Sequence, residues 1–333
     1  MKRHHQLIEK IGDMDNLYLA FWKARKAKDT KSYVQEFRQN LQANLAVLSQ
    51  QILLGSVNVG SYKYFKVFDP KERLICAAGF HERVLHHALM NVCHPVFEGF
   101  QIFDSYASRK GKGTYAAIRR ALVFNQKHRW FLKLDVRKFF DSVDHTVLQS
   151  LLRRKFKEEK LLSIFRQIIT SYSTTPGKGI PIGNLTSQYF ANHYLAVADH
   201  YIQEQLKASG YVRYMDDMVI WDNDKQSLLD VGESIRSFTG EQLKLQLKPY
   251  CLNKTTKGLP FLGYVLFDKT MHLNQRSRKR FRARMNQYWY NLDSGIWDQS
   301  DYHMHITPLL AFAQKAESLP FRRKVMETLN EIG

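Results

Sequence analysis

The spacing of apolar positions changes several times along the chain, and each change predicts an element. Within residues 1–58, Leu41, Leu45 and Leu48 recur at helical spacing, and the stretch reads as largely helical with mixed charge. YKYFKVFDPKERLIC (62–76) reads as a hairpin, with Asp69-Pro70 as the turn signal between two apolar-containing arms. Phe80, Val84, Leu85, Ala88, Leu89 and Val92 predict a buried helix over 80–92. FLKLDV (131–136) is a strand pattern carrying a carboxylate at its end. Phe139, Phe140 and Asp141 follow, and a helix is expected from Asp144. A glycine-rich loop, PGKGIPIGN (176–184), feeds an apolar helix over 185–202. YVRYMDDMVIW (211–221) predicts two short strands with Asp216-Asp217 at their turn. Leu228, Val231, Ile235 and Phe238 give the next helix one apolar face. LKLQLK (243–248) alternates as a strand does, and FLGYVLF (261–267) predicts another short strand. Strands alternating with helices between 130 and 267 imply an α+β sheet domain.

From about residue 272 the character changes. Phe281, Met285, Tyr288 and Leu292 fall on one helical face, while Arg276, Arg278, Lys279, Arg280, Arg282 and Arg284 crowd the same segment. The apolar face is expected to pack and the basic one to point toward phosphate, or simply to be solvated. The whole chain shares this bias: 50 Lys+Arg against 31 Asp+Glu give +19 over 333 residues. Such a field suits nucleic acid first and an anionic membrane surface second, unless the protein is merely basic. The apolar fraction of 44% excludes a mainly disordered chain.

Cys76, Cys93 and Cys251 are too few and too widely spaced for a cysteine zinc site, and suit reduced thiols. The first residues lack the apolar stretch of a secretory signal, and no apolar run is long enough to span a bilayer. A cytoplasmic protein with no membrane association is expected.

Asp216 and Asp217 are the sharpest chemical feature. Adjacent carboxylates repel unless solvent or a cation offsets them, although turns also use Asp for local hydrogen bonds. Here the pair is set in a strongly apolar hairpin, and a third strand-end acid, Asp135, lies 82 residues before Asp217. Acids converging from neighbouring strand ends suit hard divalent metals. Two such ions about 3.5–4 Å apart can activate an attacking hydroxyl and stabilise a leaving pyrophosphate.

Tyr214-Met215-Asp216-Asp217 resembles the YxDD box of reverse transcriptases, and Asp135 in LDVRKFFDSVD resembles the acid of their first palm motif. IPIGNLTSQ (180–188) is similar to the next motif, FLGY (261–264) to the primer grip, and LKLQLK to the lysine-bearing segment between. RLICAAGFHERVLHHAL (73–89) and SYASRKGKGTYAAI (105–118) resemble finger motifs of bacterial, group II intron-like enzymes. The likeness covers about residues 60–270. Where most reverse transcriptases carry QGxxxSP, this chain reads Ile182-Gly183-Asn184-Leu185-Thr186-Ser187-Gln188. That form is similar to the reverse transcriptases of diversity-generating retroelements.

The resemblance implies a right-hand polymerase: an N-terminal helical extension (1–59), fingers (60–130 and 146–180), palm (131–145 and 181–270) and helical thumb (271–333). It implies RNA-directed DNA synthesis from a template-repeat RNA, frequent misincorporation opposite adenines and mutagenic retrohoming of the cDNA. The implied partners are template RNA, the primer or cDNA strand, dNTPs and a small basic helical-bundle accessory protein. For that last partner Glu158, Glu159 and Glu241 are acids in polar surroundings. Asp135, Asp216 and Asp217, with the Val136 carbonyl, would hold two Mg²⁺ ions, for which Mn²⁺ substitutes. Phe140 falls where the family places an aromatic under the sugar, excluding a 2′-hydroxyl; it also fits a plain core role. Lys66 and Arg73 are the candidates for the triphosphate. Lys248, or equally Lys244, would assist the pyrophosphate. Ile182, Gly183 and Gln188 would border the nucleotide pocket, and Ile182, lacking the hydrogen bonds of Gln, would relax fidelity. Arg109, Lys110 and Lys112 would touch template backbone, and the basic stretch 276–284 would also meet nucleic acid. His81, His86, His87 and His94 lack good metal spacing and read as packing or RNA-facing. Other bacterial reverse transcriptases (retron, group II intron or phage-defence type) remain alternatives, as does an RNA-binding scaffold whose acids no longer catalyse.

Overall fold

The computed structural model describes residues 4–68 and 72–330. Four helices come first: α1 (Ile8–Gly12), α2 (Met14–Arg25), α3 (Ser32–Gln39) and α4 (Leu41–Leu54). Asp13 starts α2 by accepting from the amides of Asp15 and Asn16, and Gly55 ends α4 in the left-handed region that glycine adopts without strain. The hairpin follows as β1 (Tyr62–Phe68) and β2 (Glu72–Ala78), then α5 (Phe80–Glu98) and α6 (Thr114–Lys127). The Asp69-Pro70 turn lies outside the described residues. α5 runs past the expected limit to Glu98 because its apolar face continues through Cys93, Val96 and Phe97.

The central sheet is antiparallel, in the order β4-β5-β3-β6: β3 (Trp130–Asp135), β4 (Gly210–Tyr214), β5 (Asp217–Asp222) and β6 (Cys251–Lys254). Short α7 (Phe139–Ser142), α8 (His145–Arg153) and α9 (Glu159–Thr170) follow β3. α10 (Leu185–His200) continues into a single π turn, Tyr201–Gln205, and α11 (Lys225–Leu243) follows β5. One sheet face packs Leu132, Leu134, Met218 and Ile220 into the larger core, shared with α1–α5 and α8–α11. The other packs Phe131, Val212, Val219 and Trp221 with α6, a second small sheet and the C-terminal helices. The period of two in these strands thus divides the molecule into two cores.

The small sheet has the order β7-β8-β9: β7 (Leu259–Phe261), β8 (Tyr264–Leu266) and β9 (Met271–Leu273). The expected single strand over 261–267 is therefore a tight hairpin. Leu262 and Gly263 both take positive φ, 47° and 92°, which a two-residue hairpin turn of this hand requires. The expected strand over 243–248 is also corrected. α11 persists to Leu243, Lys244 turns at φ 51°, and only the Val136–Leu247 bridge pairs the extended segment that follows. Leu243, Leu245 and Leu247 are buried, so the alternation records one-sided burial without a ladder.

The chain closes with α12 (Gln275–Asp293), α13 (Gln299–Gln314) and α14 (Leu319–Asn330). Phe281 and Met285 bury the apolar face of α12, as its spacing predicts. Among the described residues no helix is long and apolar enough to cross a membrane. All three cysteines are unpaired thiols.

Candidate active site

β3 carries Asp135 as its last residue and β5 carries Asp217 as its first, and the two are register partners across the antiparallel pair. Asp216 sits in the turn between β4 and β5, beside Met215 at φ 52°. Three carboxylates thereby meet at one end of the sheet, brought from sequence-distant strands by a single register.

The electrostatics record this crowding. Asp216 is pushed up to about 6, first by burial and then by the neighbouring Asp135 and Asp217 carboxylates, against the lowering effect of its own amide. Lysines answer the other two acids. Lys248 Nζ lies 2.6 Å from Asp135 Oδ2, and Lys133 Nζ lies 3.1 Å from Asp217 Oδ1. Lys133 Nζ also donates to the Pro260 carbonyl of β7 at 3.2 Å. Asp135 Oδ1 is buried without a hydrogen-bond partner, a costly state that a cation would relieve. The donor set is all oxygen, which suits a hard divalent ion. Among the described residues no group of three or more His, Cys, Asp or Glu side chains is already arranged as a metal site; two of the three carboxylates are instead paired with lysines.

The surrounding residues are placed unevenly. The bridge that joins residues 135–137 to 246–248 uses the Asp135 carbonyl and the Arg137 amide, and leaves the Val136 carbonyl out. This bridge brings Lys248 to the acids. Lys244 points elsewhere, to Asp144 Oδ2 at 3.1 Å, so of the two lysines left open by the sequence only Lys248 is beside the carboxylates. Phe140 is half-buried on α7, its ring edge-on to the buried Phe139.

The loop before α10 is fastened to β2. The Cys76 amide donates to the Ile182 carbonyl at 2.9 Å, and the Ala78 amide to Asn184 Oδ1 at 3.1 Å. Gly183, at φ 114°, passes so close that a Cβ would meet Ile75 Cγ2 at 2.9 Å. Ser108 Oγ donates to Gln188 Oε1 at 3.2 Å, which ties α10 to the 105–118 segment. Lys66 and Arg73 are exposed on the hairpin, and Lys66 pairs with Glu72 at 2.8 Å.

Arg109, expected at the template backbone, is held within the fold. Its guanidinium grips Glu98 and donates to the Ile102 and Ser105 carbonyls, which leaves it spent on the fold. Lys112 donates to the Phe103 carbonyl and lies 3.5 Å from the Phe103 ring, whereas Lys110 is exposed. Glu158 accepts from the amides of Leu7 and Ile8, so it fastens α1 rather than offering an acidic surface. Glu159 pairs with Arg153, and Glu241 accepts from the Ser237 hydroxyl. His86 is buried against Glu82 and His94 bonds the Tyr189 hydroxyl, both packing roles.

The α12 arginines divide by spacing. Arg276, Arg280 and Arg284, one turn apart, line a groove of about 710 Å³ with Thr114, Tyr115 and the Leu262-Gly263 turn. Arg278 and Arg282 instead lie over the Phe321 ring of α14, at 4.7 and 6.0 Å.

Sequence reasoning missed Lys133 and the buried Arg213. Lys133 shares the period-two face of Asp135, a signal legible in FLKLDV. Arg213 is a lone cation inside an apolar strand, which is itself a signal for a buried partner.

The order of these elements and the placing of the acids define a polymerase of the right-hand α+β class. Residues 69–266 match the family model "Reverse transcriptase (RNA-dependent DNA polymerase)". The chain belongs to the reverse transcriptase family, whose enzyme class is RNA-directed DNA polymerase. It is similar to protein YkfC of Escherichia coli K12, 24% identical over 284 residues, covering 69% of this chain and 74% of that protein. It is also similar to the retron Ec73 reverse transcriptase of Escherichia coli, 24% identical over 208 residues, covering 56% and 62% of the two chains. The group II intron-encoded protein LtrA of Lactococcus lactis is 26% identical over 121 residues, covering 34% of this chain and 19% of LtrA. The chain thus spans less than two thirds of the retron and intron relatives it resembles.

Proposed function

We propose that this chain copies an RNA template into cDNA and is the error-prone polymerase of a diversity-generating retroelement. The observation that carries the polymerase reading is the registered Asp135–Asp217 pair with Asp216 in the adjoining turn. The subtype rests on Ile182 and Gln188, which stand where most relatives in the superfamily carry Gln and Pro. An N-terminal extension (1–59), fingers (60–130 and 146–180), palm (131–145 and 181–270) and thumb (271–333) are the matching functional division, and α1–α4 pack on the same core as α5 and α8–α10.

Asp135, Asp216 and Asp217, with the Val136 carbonyl, would hold two Mg²⁺ ions, or Mn²⁺ in their place. When bound, the metals supply positive charge that acidifies the primer 3′-hydroxyl and offsets charge on the leaving pyrophosphate. The protein's own part is positional. The sheet register fixes the acids, Lys248 adds a cation beside the leaving group, and Phe140 closes the space that a 2′-hydroxyl would need. Lys66 and Arg73 extend positive charge from the hairpin toward the triphosphate. Ile182 and Gly183 form the loop backing the nascent pair. The groove along α12 takes the template–primer duplex, and a small basic accessory protein completes the complex.

The test is primer extension on RNA with Mg²⁺ and four dNTPs, with and without a candidate accessory protein, followed by product sequencing. DNA that disappears in Asp216→Asn and Asp217→Asn, with errors concentrated at template adenines, is the expected result. Accurate DNA would move the chain to the retron or group II intron type. RNA binding without any synthesis would make it a scaffold.

A further inference from the structure

Arg213 is the largest charged side chain with no solvent exposure, at 0%. It stands on β4 between Val212 and Tyr214, pointing to the opposite sheet face from the acids. Burying a guanidinium is costly unless every donor is matched. Here they are matched. Nε donates to both oxygens of Asp199, at 2.7 and 2.9 Å, and Nη2 donates to Asp199 Oδ2 at 2.6 Å and to Gln101 Oε1 at 3.3 Å. Nη1 donates to Asn192 Oδ1 at 3.1 Å and to the Met215 carbonyl at 3.2 Å. The Tyr211 hydroxyl adds a bond to Asp199 at 2.7 Å. Asp199 and Asn192 both belong to α10, so the arginine joins that helix to the carboxylate turn.

The contact with Met215 distinguishes this network from an ordinary buried ion pair. Met215 holds φ 52°, a left-handed conformation that costs a non-glycine residue of order 1 kcal/mol or more and persists only where the surroundings enforce it. Its carbonyl is part of the peptide that leads directly into Asp216. A fixed guanidinium plane bonded to that carbonyl, and itself clamped by α10, sets the direction in which the turn presents Asp216.

We propose that Arg213 is a positioning residue: through the Met215 carbonyl it fixes the turn that aims Asp216 at the metal-binding space. This rests on the metal-ligand reading of Asp216. A metal's affinity depends on groups that orient its ligands, and their loss costs about 10- to 100-fold in binding or activity. Arg213→Lys keeps a positive charge against Asp199 but has no planar fork, so one ammonium cannot hold Asp199, Asn192, Gln101 and Met215 together.

Arg213→Lys is measured beside the native chain and Asp216→Asn by Mn²⁺ binding followed by electron paramagnetic resonance, by thermal unfolding, and by single-turnover extension scaled to the active fraction. The expected result is native-like unfolding and primer–template affinity, Mn²⁺ binding about tenfold weaker, and a turnover rate per active site reduced about 100-fold. If Arg213→Lys is unfolded, Arg213→Gln/Asp199→Asn takes its place, since that pair stays hydrogen-bonded and neutral, and the same loss is expected. Unchanged Mn²⁺ affinity and unchanged turnover per active site in the folded variant would overturn the proposal, as would a loss confined to unfolding temperature. The Mn²⁺ readout does not require synthesis. A native chain that binds Mn²⁺ through Asp216 but makes no DNA would therefore fail the polymerase reading, while the Mn²⁺ affinity of Arg213→Lys, weakened or unchanged, would still support or overturn this one.

Discussion

Asp135 and Asp217 lie directly opposite one another on β3 and β5, and each is paired with a different lysine, Lys248 and Lys133. Like charges directly opposed in an antiparallel pair destabilise the sheet. The two lysines offset that repulsion, and Lys133 also reaches the Pro260 carbonyl, joining the acid pair to the β7–β8 hairpin. Both ion pairs are partly solvated, so each contributes no more than about 1 kcal/mol. On the metal-site reading proposed above, a divalent cation competes for the same carboxylates.

Lys133→Met therefore raises the stabilisation that metal gives. In the metal-free variant the repulsion at Asp217 is uncompensated, so the unfolding temperature falls. Adding Mg²⁺ restores more than it does in the native chain, by about 1–3 °C for a chain of this size. Differential scanning fluorimetry over a Mg²⁺ series reads this directly. Equal Mg²⁺ increments in the two proteins would show that Lys133 does not offset the acid pair.

Ile182 is half-buried, its carbonyl bonded to Cys76 and its loop held against β2 by Gly183. The backbone is fixed from outside the side chain, so Ile182→Gln changes chemistry without moving the loop. On the error-prone reading proposed above, one recovered hydrogen bond of about 1 kcal/mol lowers misincorporation at template adenines about five- to tenfold. Product sequencing measures it. An unchanged error spectrum would make Ile182 a packing residue only.

The two arginine sets of α12 have separable effects. Arg276→Ala/Arg284→Ala removes two charges from the groove and flattens the dependence of log affinity on log salt by about 1.5 units, near 0.7–0.9 per phosphate contact. Arg278→Ala/Arg282→Ala strips two cations from the Phe321 ring, which lowers thermal stability and leaves the salt slope close to native. Fluorescence anisotropy with a labelled RNA–DNA duplex at several salt concentrations distinguishes them. Equal slopes for both pairs would remove the division.

The site's acids were legible because each signal is local. An apolar strand that carries a carboxylate at its end, as FLKLD does, and an apolar hairpin with Asp216-Asp217 at its turn need no partner to be noticed. Their convergence depends on a register that period-two patterning constrains but does not number. Residues whose meaning depends on a distant partner were not legible. Arg109 looked like a surface cation, and only the fold shows Glu98 and two carbonyls consuming it. Arg213 and Asp199 are 14 residues apart on a strand and a helix, and neither element's period announces the other. The 261–267 segment reads as one strand by composition, because a turn with Leu at a positive φ has no strong residue signature at its first position.

Burial also makes stability depend on pH. His193 lies on α10 with a side chain fully enclosed, and it is lowered to about 4 from the ordinary 6.5, chiefly by burial with a smaller contribution from Lys155, against the raising effect of the bond to the Leu151 carbonyl. His86 is lowered to about 3, first by burial and then by His87, His81 and Arg83. Between those values and 6.5 the unfolded chain binds protons that the folded chain excludes, so stability is present above pH 6.5 and is lost as pH falls. At pH 5 each such group costs about 2 kcal/mol. Glu82 beside His86 opposes this trend, because burial raises it and its folded form keeps a proton to higher pH than the unfolded form. His193 is therefore the cleaner probe. The unfolding temperature should fall steeply from pH 7 to pH 5 in the native chain, and His193→Gln should shrink that fall, because glutamine can still donate to Leu151 but cannot be protonated. A fall of the same size in the variant would assign the acid sensitivity to other groups.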